Sequence, residues 1–413
     1  MQVETDPRDV GLCPDRLERI DAWMRRYVES GRLAGLSVSV LRGLSVSVLR
    51  GGRTAFFRAH GHADLAREKP FAADTITRIY SMTKPLTSLA VLMLYEEGLF
   101  QLDDPVARVL PEFGEMRVVT GGNRAKLETE PALRPITIRD LLTHTSGLTY
   151  GFMEATLVDA LYRQNEIDFQ TSTLPLGELV ARLAQQPLLA QPGAEWNYSV
   201  ATDVLGHFVS VVSGQDFADF MRARILRPLG MDDTDFFVRQ EKQARLAANY
   251  AFDRAGRLRL YDDSVGSRFL SPPPLASGGG GLVSTAADYL RFCRMILNLG
   301  ELDGVRLLGR KTVELMLMNH LPGDLAAMGQ PRFAESSYAG IGFGLGFSVM
   351  LDPARAQILG TPGEVSWGGV ASTSFWIDPD EDMAVVLLAQ LVPSSALPLR
   401  RELRVLTYAA IDV

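Results

Sequence analysis

Apolar residues recur every three to four positions through Leu17, Ile20, Trp23, Met24 and Val28, which predicts a helix from Pro14 to Gly31. The period then drops to two. LSVSVLR and RTAFFRAHGHAD alternate, carry β-branched residues and are bounded by glycine or charge, as strands are. Ser81–Gly98, dense in Leu, Ala and Met, predicts a second helix. From there to about residue 284 the pattern is mostly helical and loop-like. Within it, Thr137 and Asp140 have the spacing of a capping box opening a helix at Leu141–His144, with Gly147 as its stop. SPPPLASGGGG at 271–281 interrupts the pattern, and Thr285 with Asp288 predicts a second capping box ahead of a helix Tyr289–Leu299. Strand character returns in FGLGFSVM, TSFWID and MAVVLLAQL, before a closing helix from Leu397 to Ala410.

Strands at both ends with helices between predict an α/β plus all-α class. The expected division is a discontinuous α/β domain over 1–105 and 285–413 and a mainly helical domain over 106–284, with the active site at their seam. One segment is unusual. Gly35–Arg42 and Gly43–Arg50 are the same octapeptide, GLSVSVLR, in tandem. Its period is far too short for a solenoid. Because eight is even, either copy presents the same faces to a core. The expectation is that one copy fills a central strand position and the other loops out.

Composition narrows the function. At 413 residues, with 46% hydrophobic and 22% charged residues, the chain can build two or three packed units. Its formal charge of −7 excludes the basic footprint of a nucleic-acid binder and gives no attraction to an anionic membrane. No apolar run reaches membrane-span length, and the acidic start MQVETDPRDVGL does not read as a secretory signal. Cys13 and Cys293 are distant and lack metal-ligand partners, and Cys293 lies in an apolar helical pattern as a buried thiol would. A cytoplasmic protein without structural disulfides is expected.

The lysines are Lys69, Lys84, Lys126, Lys242 and Lys311, and among them only Lys84 follows a serine by three residues. On a helix that spacing puts Ser81 and Lys84 on one face. A serine hydroxyl becomes a nucleophile when a neighbour takes its proton, although a serine at a helix start is also an ordinary cap. Tyr198, after the Pro192-Gly193 turn, has the chemistry of a proton relay or of a buried aromatic with a bonded hydroxyl. Gly368 and Gly369, between Trp367 and Val370, mark close backbone approach of a ligand or of a packing neighbour. Among competitors, Gly-x-Ser-x-Gly is absent, which removes the α/β-hydrolase elbow. His60 and His62 lack a third metal ligand in recognisable spacing, and His144, His207 and His320 read as structural, His144 through a backbone bond. The glycine run 278–281 lacks the Lys-Ser/Thr of a phosphate loop.

In their order, Ser81-Met-Thr-Lys84, Tyr198-Ser199 and Trp367-Gly368-Gly369 resemble the family VIII carboxylesterases, of the class C β-lactamase and penicillin-binding protein superfamily. LLTHTSGLTYGF, RPLGMDDTDF, GGGGLVSTAADYLRFCRMILNLGELDG and WGGVASTSFWIDPD extend the resemblance over most of the chain. It implies a serine β-lactamase / DD-peptidase-like fold, an antiparallel sheet flanked by helices with an inserted helical domain. It further implies that Ser81 is acylated and that Lys84 and Tyr198 share the proton transfers. The N–H groups of Ser81 and Val370 would form the oxyanion hole, with Trp367, Gly368 and Gly369 beside the substrate. No metal and no cofactor are expected, and the partner is a small-molecule ester with a short acyl group. β-Lactamase, D-amino-acid peptidase and acyltransferase activities are the alternatives on the same residues. Two departures bear on them. Trp367 and Gly368 replace Lys-Thr of the β-lactamase motif with no cation in its place, and Tyr198-Ser199-Val200 lacks the asparagine of Tyr-x-Asn. The segment Leu148–Ile167, with Tyr150, Phe152 and Tyr162, is expected to shape the acyl pocket.

Overall fold

The computed structural model describes residues 2–43, 52–123, 126–329, 332–333 and 336–412. Its main sheet contains β1 (Gly35–Arg42), β2 (Arg53–Asp64), β3 (Lys69–Pro70), β4 (Ile341–Phe343), β5 (Ser348–Met350), β6 (Val365–Gly368), β7 (Ser374–Asp378) and β8 (Met383–Ala389). The spatial order is β4-β5-β6-β7-β8-β1-β2-β3, antiparallel throughout. The two ends of the chain therefore meet at the centre, where β1 lies between β8 and β2. The helices used below are α1 (Pro14–Glu29), α2 (Thr83–Glu96), α3 (Ala201–Ser213), α4 (Ala286–Leu297) and α5 (Leu399–Tyr408). None of the described helices is long and apolar enough to cross a membrane.

Period-two alternation sorts the central strands between two apolar layers. Met383, Val385, Leu387 and Ala389 of β8, with Leu36, Val38 and Val40 of β1, join a cluster with residues of α1 and α5. Ala384, Val386 and Leu388 face the other way, into the large cluster that holds α2, α3 and α4. Burial on both faces makes β1 buried along its whole length, serines included. Helix α2 is apolar on all sides and is buried from Thr83 to Leu94. Packed so completely, it holds the residues at its head in one place.

Several element boundaries differ from the sequence expectation. The Thr137–Asp140 box is present in both halves, but its helix is Ile138–Leu142. His144, at φ +58°, takes the left-handed turn assigned to Gly147, which lies in the next bend. Of the second box only the Thr285 half forms, because the Asp288 carboxylate accepts from Asp233 N and Thr234 Oγ1 instead. FGLGFSVM is broken into β4 and β5 by a turn through Gly344–Gly346, with Gly346 at φ +99°. Two hairpins, Arg117–Asn123 with Lys126–Pro131 and Asn249–Phe252 with Leu258–Asp262, lie in the stretch read as helix and loop. The first is mostly solvent-facing, so its sequence carries no apolar alternation.

The first copy of the octapeptide is β1. The second, from residue 44, lies outside the described residues. Arg42 of β1 pairs with Arg53 of β2. Deleting residues 43–50 leaves Gly51-Gly52 between those partners, the two-residue loop preferred for hairpins of this twist. The deletion variant is expected to keep the wild-type fold and activity, with Tm equal to or above that of the wild type. At an unfolding entropy of about 2 cal/mol/K per residue, a Tm lower by about 4 °C corresponds to roughly 3 kcal/mol in a chain of this size. A loss that large would contradict the pairing of Arg42 with Arg53.

Candidate active site

Ser81 lies in a one-turn 3₁₀ segment, Tyr80–Met82, that leads directly into α2. Tyr80 is held at φ +42°, an unfavourable conformation for a non-glycine residue that surrounding packing must impose. The packing is visible. The Tyr80 ring meets Phe269 edge-on at 6.2 Å, Tyr289 donates to Met82 O at 2.9 Å, and Leu282 N donates to Thr83 Oγ1 at 3.1 Å.

The structure brings Ser81, Lys84 and Tyr198 together. Lys84 Nζ donates to Ser81 Oγ at 3.2 Å, and Tyr198 Oη donates to the same oxygen at 2.6 Å. Lys84 is 1% exposed, so its ammonium depends on protein acceptors, and Gly279 O takes a second bond at 2.7 Å. Its Nζ also lies 4.6 Å from the centre of the Tyr198 ring and 5.3 Å from that of Tyr150. Tyr198 is positioned by stacking on Trp196, with ring centres 6.1 Å apart, and by contact with Trp367 at 5.4 Å.

A buried carboxylate behind this trio escaped the sequence reading. Asp203, in the first turn of α3, accepts from Gly279 N at 2.9 Å and from Ser277 Oγ at 2.5 Å. It thereby anchors the loop whose next atom, Gly279 O, holds Lys84. Burial pushes the Asp203 carboxyl up from its ordinary range, while Lys84, Ser277 and Gly279 draw it down. Gly279 has to be glycine, because a Cβ there would collide with Asp203 Oδ2. The run 278–281 thus serves close approach, which a motif search for phosphate loops cannot show.

Trp367, Gly368, Gly369 and Val370 run from the end of β6 into the turn before β7. With Ser81 and Tyr198 they line a cleft of about 420 Å³, a volume suited to a small organic molecule. Every predicted site residue faces this cleft except Lys84, which is buried beneath Ser81. The motif itself offers no cation in place of the β-lactamase lysine. A cation does stand at this point, but it comes from α5: Arg400 packs its guanidinium on Gly368 and donates to Gly369 O at 2.8 Å. Separated by some thirty residues from the motif, it carries no local signal.

The acyl-pocket segment is only partly as expected. Phe152 and Met153 line the cleft and Phe152 stacks on Tyr150 at 4.6 Å, but Tyr162 is fully buried in the core. His144 does not bond backbone through its ring: Nδ1 pairs with Ser199 Oγ at 3.0 Å and the ring packs on Trp196, Tyr198 and Phe343. Burial and the nearby Lys84 hold its pKa well below the ordinary value. His60 Nε2 pairs with Asp21 at 2.6 Å, remote from the cleft. Cys293 is buried, which pushes its thiol pKa up and leaves it unreactive.

Comparison with known proteins gives the chain its relatives. The Beta-lactamase family matches residues 20–409. Protein Rv1367c of Mycobacterium tuberculosis is 39% identical over 81% of this chain and 82% of its own length. Esterase EstB of Burkholderia gladioli is 34% identical over 90% of this chain and 89% of its own. Among solved structures, EstCE1, a hydrolase with promiscuous acyltransferase activity, superposes with a TM-score of 0.79 at 28% identity, covering 96% of this chain and 98% of the other.

The buried imidazole has a consequence for stability. Since the folded pKa of His144 lies below its unfolded value of about 6.5, the unfolded state binds more protons below that pH. Stability is full above about pH 6.5 and is lost as pH falls toward the folded pKa. Urea unfolding between pH 4.5 and 7 should show a shallower acid loss in His144→Asn than in the wild type, by up to about 1.4 kcal/mol per pH unit. Parallel profiles would contradict the assignment.

Proposed function

The chain belongs to the Beta-lactamase family, and from that premise we propose that it is a serine carboxylesterase of the family VIII type, acting on short-acyl esters. The observation that carries this reading is the convergence of Tyr198 Oη and Lys84 Nζ on Ser81 Oγ beside an open cleft. The seam between the discontinuous α/β part, 1–105 and 285–413, and the helical part, 106–284, is where the ester enters.

In this mechanism Tyr198 reacts as the phenolate: Ser81 Oγ attacks the ester carbonyl carbon while its proton passes to the tyrosine oxygen, the nearer group. The Lys84 ammonium, beside the Tyr198 ring and bonded to Ser81 Oγ, offsets the phenolate charge before that transfer and again when the proton is given up. Electrons of the carbonyl π bond move to oxygen, and the oxyanion is received by the N–H groups of Ser81 and Val370. The intermediate collapses, the C–O bond to the alcohol breaks, and Tyr198 returns the proton to the departing alkoxide. Water then repeats the sequence on the acyl-enzyme and releases the acid. The site asks for neither metal nor organic cofactor.

Ser199, in place of the residue after tyrosine in Tyr-x-Asn, turns into the core and pairs with His144. With Val200 also buried, the segment offers no amide to a lactam side chain. This favours simple esters over β-lactams. A second reading, acyl transfer to an alcohol, draws on the promiscuous acyltransferase activity of EstCE1; there an alcohol replaces water in the second half-reaction.

Hydrolysis of p-nitrophenyl butyrate by the wild type is expected to fall to background in Ser81→Ala, and by about 10²–10⁴-fold in Tyr198→Phe. Intact-mass spectra should show one butyryl adduct on the wild type and none on Ser81→Ala. Activity retained by Ser81→Ala would remove the nucleophile from this scheme. Release of a butyrate ester when an alcohol is added would favour the transferase reading.

A further inference from the structure

Resting on the acyl-enzyme reading, we propose that Arg400 is a positioning residue for the oxyanion hole. In a planar trans peptide the C=O and the following N–H point in opposite directions. Gly369 O and Val370 N belong to one such unit. Arg400 Nη2 donates to Gly369 O at 2.8 Å, so the guanidinium grips one end of the peptide whose other end is the N–H of Val370, and all three residues line the cleft. No described acceptor in the chain takes Val370 N–H.

The grip is reinforced from three sides. Arg400 Nη2 also donates to Thr373 O at 3.1 Å, across the turn between β6 and β7. Gly369 N donates to that same carbonyl at 3.0 Å and lies 3.2 Å from Thr373 Oγ1. Thr373 Oγ1 in turn donates to Ile79 O at 3.4 Å, two residues before Ser81. One chain of hydrogen bonds thus connects the guanidinium, the Val370 peptide and the approach to Ser81. The fit depends on glycine. A Cβ on Gly368 would stand 2.6 Å from Arg400 Nη2, and one on Gly369 would collide with Ile79 O. Arg400 is itself fixed near the start of α5 by Leu399 and Leu403, both buried.

Two effects follow. A peptide held at its carbonyl cannot rotate its N–H away from the oxyanion. A cation on the carbonyl oxygen polarises the amide, which strengthens the N–H as a donor as negative charge appears. Both act on the transition state more than on bound ester, so the signature is a loss in kcat with little change in KM.

The test compares wild type, Arg400→Met and Arg400→Lys with p-nitrophenyl butyrate, each corrected for active sites by fluorophosphonate titration. For Arg400→Met, kcat per titrated site should fall by about 10–10²-fold, somewhat below the cost of deleting a donor outright, with KM within about twofold. Arg400→Lys keeps the charge without the planar fork and should fall between the two, more than about threefold below the wild type. Millimolar guanidinium should raise kcat of Arg400→Met and leave the wild type unchanged. A purely structural role predicts fewer titratable sites and a lower Tm with unchanged kcat per site. That result, in either variant, overturns the proposal, as does a kcat per site within threefold of wild type. Should Arg400→Met fail to fold, Arg400→Lys alone decides. Failure of the acyl-enzyme reading is separate: the wild type itself would then take neither the butyryl nor the phosphonate label on Ser81.

Discussion

A buried amine has to be hydrogen-bonded, and the site is organised around meeting that demand at Lys84. Its side chain leaves α2 in a region where every neighbouring residue is buried, so water cannot serve it. Ser81 Oγ and Gly279 O do. The carbonyl can reach so far inward only because its residue lacks a Cβ, and it stays there because Asp203 binds the amide of the same residue. The orientation of Lys84 toward the reactive hydroxyl is therefore a by-product of satisfying its charge. Lys84, its acceptor loop and the buried carboxylate form one unit.

What was legible in the sequence follows from how local each signal is. Ser81 and Lys84 are three residues apart on a helix, so their meeting is a matter of helical geometry. Tyr198 and the Trp367–Val370 turn are distant from them, and the family resemblance supplied what spacing alone left open. Asp203 and Arg400 carried no signal, because each acts through contacts with residues tens of positions away. The same distinction holds for the fold. Strand β8 reads as an unbroken apolar run because both of its faces lie in apolar layers, whereas the Arg117–Pro131 hairpin faces water and reads as loop. The second capping box fails for a related reason: Asp288 finds stronger partners in Asp233 N and Thr234 than at its own helix start.

The cleft also shows how one scaffold is turned from one substrate class toward another. At Trp367 and Gly368 an indole and a bare backbone stand where a lysine would hold a substrate carboxylate. The nearby guanidinium lines the cleft and donates to the backbone carbonyls of Gly369 and Thr373. Ser199 points inward. Phe152, Met153 and Trp367 give the cleft an apolar side suited to a neutral ester.

The tandem octapeptide has a further meaning once β1 is located between β2 and β8. Two identical segments compete for one slot, and every side-chain contact in that slot is the same whichever of them enters. The choice alters only which neighbouring linker carries eight extra residues, the one from α1 or the one to β2. Loop-closure cost grows only logarithmically with length, so the two arrangements differ by about 1–2 kcal/mol or less. Side-chain chemistry in that slot is thus blind to which of the two copies supplies the strand.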